Sequence, residues 1–230
     1  MTHMHIPDGV LPVWIWLLGL LVMAGAIWIC VFRLRAIDLR KKIPILGAVS
    51  AVMLVAMTLE ILPLAYHINL SVVAGILLGP SLGFLAAVIT NLVLALMGHG
   101  GVTVIGLNTL LLGSEAILGH ALFYLFKDRL SVFWRAVVVT IATLLITTAA
   151  LIGIVAVAHV DPDRMFHTEG HDHGSAPEGE VTVTRFAIMV LSLGAFGWII
   201  EAFITGAVIR FISQVKPDLL RHVLHAGKDQ

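Results

Sequence analysis

Apolar residues run along most of this chain in long, nearly unbroken stretches, and polar residues collect in the short connections between them. That is neither the every-second-residue alternation of a half-buried strand nor the one-sided stripe of a surface helix. A stretch of about 18 or more apolar residues is what a helix needs to cross roughly 30 Å of hydrocarbon. The pattern predicts seven spans, at roughly 11–34, 43–64, 68–79, 81–97, 103–126, 132–158 and 183–213. The third is too short to cross as plain helix, and Gly79-Pro80 separates it from the fourth. It either begins within the loop after Pro63 or runs tilted and partly re-entrant. The expected fold is an all-α polytopic membrane bundle of about seven transmembrane helices.

Composition agrees. Of 230 residues, 59% are hydrophobic and 12% charged, with a mean hydropathy of +1.02, whereas a soluble domain carries about a quarter of its residues charged. The first run is too long for a signal-peptide core and follows Asp8 instead of a basic segment, so it is expected to stay as a helix. The one cysteine, Cys30, lies inside that run, which leaves no disulfide framework and no thiolate metal cluster. Basic and acidic residues balance at 14 each, so nothing points to nucleic acid.

Charge placement orients the bundle. The connection after the first span holds Arg33, Arg35, Arg40, Lys41 and Lys42; that after the fifth holds Lys127, Arg129 and Arg135; the last span and tail hold Arg210, Lys216, Arg221 and Lys228. With seven spans these fall on one side, which the retention of Lys and Arg in the cytoplasm makes the inside. The N-terminus is then outside and the C-terminus inside. Eight of the 11 histidines (His3, His5, His67, His99, His159, His167, His171 and His173) fall on the outer side, away from His120 in the fifth span and from His222 and His225 in the tail. Histidine is the commonest side-chain ligand for borderline transition metals.

The candidate chemistry follows from that segregation. The chain starts Met1-Thr2-His3-Met4-His5-Ile6-Pro7-Asp8-Gly9-Val10-Leu11-Pro12. A terminal amine, a backbone amide and an early imidazole can wrap nickel(II) or copper(II) in one plane of nitrogens, and Pro7 with Asp8-Gly9 turns the strand back toward the bundle. A frayed terminus with incidental histidines is the plain alternative. His67 follows Pro63 at the outer end of the second span, as a ligand or simply as an interfacial anchor. His99 stands in Gly98-His99-Gly100-Gly101, where the glycines imply either close approach of another backbone or a tight turn. Asn91, Asn108, Thr109, Ser114, Glu115 and His120 place polar groups in the fourth and fifth spans; such groups face the interior and pair with one another. Interhelical hydrogen bonding is also the role expected of Glu60 and Glu201. Gly75, Gly79 and Gly83 form a small-residue row that lets helices approach. The hydrophilic stretch 159–181 contains His167-Thr168-Glu169-Gly170-His171-Asp172-His173, suited to holding metal loosely or serving only as a solvated linker. No phosphate-binding loop, HExxH, GxSxG or paired-carboxylate arrangement is present, and no comparable halves repeat, so the sequence argues against an ATPase, an enzyme and an inverted-repeat transporter.

The string Met4–Pro12, the outer His67, and Gly98-His99-Gly100-Gly101-Val102-Thr103-Val104-Ile105-Gly106-Leu107-Asn108-Thr109 together resemble the substrate-binding membrane component (NikM/CbiM type) of energy-coupling-factor transporters for nickel and cobalt. The resemblance covers about residues 4–150, and the part from His159 to Arg210 looks like a fused remnant of the family's small accessory subunit. It divides the chain into a metal-capturing core, 1–158, and an outer His-rich loop with the seventh helix and tail, 159–230. It implies that the N-terminus inserts into the bundle, with the Met4 amine, the His5 amide and imidazole, and His67 forming a square plane. Asp8, His99 and Asn108 would support those ligands. It further implies a second membrane coupling subunit, one or two ATPase subunits, a prokaryotic plasma membrane, Ni²⁺ or Co²⁺ as cargo and no resident cofactor. In the family the Met-His pair is the true N-terminus, whereas Met1-Thr2-His3 precede it here. Three arrangements remain compatible: a start at Met4, removal of Met1 to leave Thr2-His3, or an intact Met1-Thr2-His3 that fills the plane without His67. A metal sensor or scaffold and a self-sufficient secondary transporter are the rival functions.

Overall fold

The computed structural model describes residues 8, 11–35, 40, 42–61, 66–127, 129–157 and 183–220. Among them are seven α-helices: α1 (Val13–Leu34), α2 (Ile43–Thr58), α3 (Ser71–Leu78), α4 (Pro80–Leu96), α5 (Ile105–Leu125), α6 (Val132–Val157) and α7 (Val183–Val215), closed by a 3₁₀ turn at Pro217–Leu220. The helices α1, α5, α6 and α7 are each long and apolar enough to cross a membrane on their own, while α2 and α4 are apolar but shorter. The bundle of about seven helices is as the hydrophobic pattern predicts. Large apolar side chains on its outside, among them Trp14, Trp28, Phe32, Trp134, Phe196 and Phe211, face outward as a lipid-exposed surface should.

Two apolar clusters mark the ends of the bundle. One gathers Leu11, Ile15, Val104, Leu151, Val155 and Val190, from the starts of α1, α5 and α7 and the end of α6. The other gathers Leu34, Leu78, Phe123, Ala136, Ile209 and Leu220. Thus α1, α5 and α7 run from the first end toward the second, and α6 runs back. The second end carries Arg33, Arg35, Lys127, Arg135 and Lys216 and is called the basic end below. There Arg135, only 1% exposed, lies 3.7 Å from the centre of the Phe123 ring and donates from Nη1 to the Lys127 carbonyl at 3.0 Å. It thus ties the start of α6 to the end of α5.

The second span is shorter than the 43–64 expected. The helix stops at Thr58, ahead of Pro63, and Glu60–Ile61 pairs antiparallel with Tyr66–His67, so that Glu60 stands opposite His67. Proline has no amide to donate and drives the residue before it out of helical geometry, which favours an extended hairpin here over another helical turn.

The third element does not run parallel to its neighbours. Asn69 bonds Glu115, a Cβ on Gly119 would meet Val72, and both Ala116 and His120 touch Gly75. These contacts do not advance in step along the two chains, so α3 crosses α5 at an angle. The chain enters from the end opposite the basic one, turns at Leu70 into α3, and leaves through Gly79 (φ +82°) into α4. The stretch from Tyr66 to Gly79 therefore spans the bundle partly as extended chain and partly as α3, whose Leu78 belongs to the cluster of the basic end. This course is possible because side chains are absent where the backbones converge: a Cβ on Gly75 would collide with the Ala116 carbonyl oxygen, and one on Gly83 would sit 2.9 Å from the Gly75 Cα. Gly19 and Gly106 play the same part between α1 and α5, where a Gly106 Cβ would lie 2.5 Å from the Leu20 nitrogen. Of the predicted glycine row, Gly75 and Gly83 serve packing, whereas Gly79, with nothing near its missing Cβ, serves the turn.

Gly75→Ala is expected to destabilise the bundle by about 3 kcal/mol or more, because overpacking here displaces backbone and not a flexible side chain. Gly25→Ala, where a Cβ meets nothing within 4 Å, should be neutral or slightly stabilising. Thermal unfolding of both variants in one detergent checks the contrast.

Candidate metal site

The loop from Gly98 to Val104 is built around its glycines. Gly98 (φ +81°) and Gly100 (φ +90°) adopt backbone that L side chains rarely tolerate, which turns the chain sharply after α4. Gly101 has another role: a Cβ there would lie 2.5 Å from Asp8 Oδ1 and 2.7 Å from the Asp8 nitrogen. Both sequence readings of the glycines hold, a tight turn and the close approach of a second backbone.

That second backbone is the N-terminal string. The Asp8 carboxylate accepts from the amides of Val102 (2.9 Å) and Thr103 (2.8 Å) and from the Thr103 hydroxyl. These donors lead directly into α5, so the carboxylate also meets the positive end of that helix. Burial alone would raise the Asp8 carboxyl, but the bonds from Thr103, Val102 and Val104 outweigh it and hold the group below the usual carboxylate range. A depressed carboxyl contributes its bonds at every pH above its unfolded value and loses them only as acid carries the pH down through the lowered value. Through the range in which histidine titrates, the latch stays closed.

His67 and His99 meet at the same mouth. Their rings are 6.5 Å apart between centres and stand nearly perpendicular, at 89°. His67 is half-buried at the end of its hairpin strand, and His99 is exposed, with its amide donating to the Leu94 carbonyl at 2.9 Å. Asn108 is buried in the first turn of α5, just beyond the loop that Asp8 closes. Asp8, His67 and His99 are thus gathered at one end of the bundle, opposite the basic end. Among the described residues, no group of three or more His, Cys, Asp or Glu is close enough to hold a metal. His3, Met4 and His5, as well as His167, His171 and His173, lie outside the described residues.

Other polar groups read from the sequence pair inside the bundle. Asn91 donates from Nδ2 to Thr109 Oγ1 (2.8 Å) and to the Ile105 carbonyl (3.2 Å), joining α4 to α5. Ser114 bonds the Leu111 carbonyl of its own helix, and His120 Nδ1 is 3.2 Å from the Gly75 carbonyl oxygen. Glu115 accepts from Asn69 Nδ2 (2.6 Å) on one oxygen and from Thr147 Oγ1 (3.0 Å) on the other. Asn69 and Thr147 escape sequence reasoning. An asparagine within an apolar stretch is the same signal that marks Asn91 and Asn108, but Thr147 looks like any of the threonines of α6.

Comparison with known proteins closes the question of family. Residues 5–219 match the family model described as the cobalt uptake substrate-specific transmembrane region, CbiM. A protein of Haloquadratum walsbyi named as a metal transport protein is 31% identical over 229 residues, covering 94% of this chain and 93% of its own. One of Archaeoglobus fulgidus named as a fused nickel transport protein, NikMN, is 27% identical, covering 98% of this chain and 70% of its own. Two crystal structures of a transition metal transporter, one of them truncated, superpose with TM-scores of 0.75 and 0.74 at 19% identity, covering 97% and 92% of this chain and 100% and 99% of theirs. At that identity they speak for the fold alone, and they share it along nearly the whole chain. On the match over residues 5–219, the protein belongs to the CbiM family and is a multi-pass membrane protein of cobalt or nickel transport, not an enzyme.

Proposed function

We propose that the protein captures Ni²⁺ or Co²⁺ at the end of the bundle that holds Asp8, His67 and His99, and passes it inward as the substrate-binding component of an ATP-driven uptake transporter. The observation that carries this reading is the Asp8 latch. It holds Asp8, three residues after His5 in sequence, against the loop that presents His99 to His67. In this reading the Met4 amine, the His5 amide and imidazole, and His67 form a planar nitrogen site, with His3 replacing part of that set if the mature chain starts upstream. Planar nitrogen geometry favours nickel, and the Archaeoglobus relative carries nickel in its name. His99 and Asn108 support the ligands, and the tract with His167, His171 and His173 holds metal loosely.

The chain has no phosphate-binding loop of its own, so energy comes from a coupling membrane subunit and one or two ATPases. The basic end faces the cytoplasm of a prokaryote and the histidine end faces outward, as the Lys and Arg distribution favours. Residues 1–158 form the capturing core and 159–230 an outer His-rich loop with the seventh helix and tail, of which 159–210 is a fused accessory part.

Calorimetric titration of Ni²⁺ into the purified protein should give one tight site. His67→Ala should weaken it by more than about 100-fold, beyond what loss of an outer group costs, while a form starting at Met4 keeps or strengthens it. Binding that survives His67→Ala but disappears when the 167–173 tract is replaced would overturn the planar site.

Imidazole must be neutral to ligate, so affinity should fall below about pH 6. Asp8→Ala should lower affinity at every pH and leave the slope unchanged, because Asp8 stays ionised across that window. An affinity that is flat from pH 5 to 8 contradicts imidazole ligation.

Nickel uptake by cells expressing the chain should require co-expressed coupling and ATPase subunits. Uptake by the chain alone in liposomes under an ion gradient would make it a secondary transporter.

A further inference from the structure

Ten residues into α5, about 15 Å below its first turn, Glu115 lies 5% exposed between two partners from different elements. Thr147 Oγ1 on α6 donates to one carboxylate oxygen, and Asn69 Nδ2 donates to the other. Asn69 is occupied at both ends, since its Oδ1 accepts from the Ser71 amide at 2.7 Å. That second bond spans Leu70, a non-glycine residue held in left-handed geometry (φ 56°, ψ 19°). Such a conformation costs roughly 1–2 kcal/mol and persists only where its surroundings fix it. Asn69 is two residues from His67, so at most about 7 Å of backbone separates them. The chain that carries His67 is therefore fastened from below, at one fixed depth, to a buried carboxylate of α5.

We propose that Glu115 and Asn69 are positioning residues for the metal site: Glu115 holds Asn69, and Asn69 fixes the depth and turn of the segment that presents the His67 imidazole to the ion. The proposal rests on His67 being a ligand. Outer groups that orient a metal-binding imidazole typically matter 10–100-fold in affinity. A planar nitrogen set is demanding, because a displaced fourth donor leaves the plane incomplete. The carboxylate acts by accepting two hydrogen bonds and not through its charge. Glutamine can serve in its place, its carbonyl accepting from Asn69 and its amide donating to Thr147, whose hydroxyl is free to donate to the Thr143 carbonyl 3.2 Å away.

The test is titration of NiCl₂ into the purified full chain, with thermal unfolding and the visible absorption of bound nickel recorded for each variant. Asn69→Ala and Glu115→Leu should each weaken nickel about 10–100-fold and shift the absorption band toward non-planar geometry. The double variant should be no worse than the weaker single, because one chain of contacts is being cut. Glu115→Gln should stay within about threefold of the parent and keep its band. If His67→Ala abolishes binding while folded Asn69→Ala binds with parental affinity and spectrum, the positioning role is wrong and the ligand assignment stands. If His67→Ala itself binds like the parent, the ligand assignment fails first. Should Glu115→Leu not fold, Asn69→Ala and Glu115→Gln still decide: a folded Glu115→Gln that loses nickel more than tenfold shows that charge matters and overturns the proposal.

Discussion

Three backbones come together at Gly75, Gly83 and Ala116, and the course of everything around the mouth depends on that contact. Lipid tails are as apolar as the side chains they would replace, so helices in a membrane gain little by burying leucine against leucine. What holds them is close packing and hydrogen bonding, and both occur here within one turn of α5. Ala116 supplies the packing surface for α3 and α4, and Glu115, its neighbour in sequence, supplies the hydrogen bonds to the start of α3 and to α6. Because α3 crosses α5 at an angle, the chain before it can descend from the mouth in extended form and still end at a defined place. The bond from Asn69 to Glu115 and the glycine contact at Ala116 thus lie side by side beneath His67.

The mouth is closed from above by a different kind of force. Asp8 engages two amides of a loop that left-handed glycines turn sharply after α4, and the start of α5 adds its positive end. The interaction is polar, local and made by residues distant in sequence. Two independent devices, one at the surface and one in the interior, therefore bring Asp8 and the His67 strand to the same loop.

Much of this was legible in the residues, and what was not has a physical reason. Long apolar runs located six helices within a few residues, because hydrocarbon thickness imposes a length that sequence displays directly. The same rule overextended α2, since the apolar residues after Thr58 continue the hydropathy signal into a hairpin. For α3 it left two courses open, a start within the loop after Pro63 or a tilted, partly re-entrant path. Whether a short apolar segment crosses, tilts or lies flat is decided by which neighbours have no side chain at the crossing, and that is a matter of Ala116 as much as of Gly75. The Gly98–Gly101 cluster announced a turn and a close approach without saying what approached. The answer, Asp8, is more than ninety residues away. Glu115 was visible as an intramembrane carboxylate, but its partner Asn69 sits in a segment whose path was undetermined, so the pairing was not.

The broken course of the chain through Tyr66 to Gly79 also bears on how it enters a membrane. Spans are thought of as helices that insert singly and then assemble, each with its amides satisfied from within. The stretch from Tyr66 to Gly79 does not qualify, since its first residues are extended and its helix covers barely two turns. Those backbone groups are shielded only once α4, α5 and α7 stand around them. Insertion of this protein therefore cannot proceed strictly in the order of synthesis: the segment that carries the candidate ligand waits until helices made after it have arrived, and folds inward last.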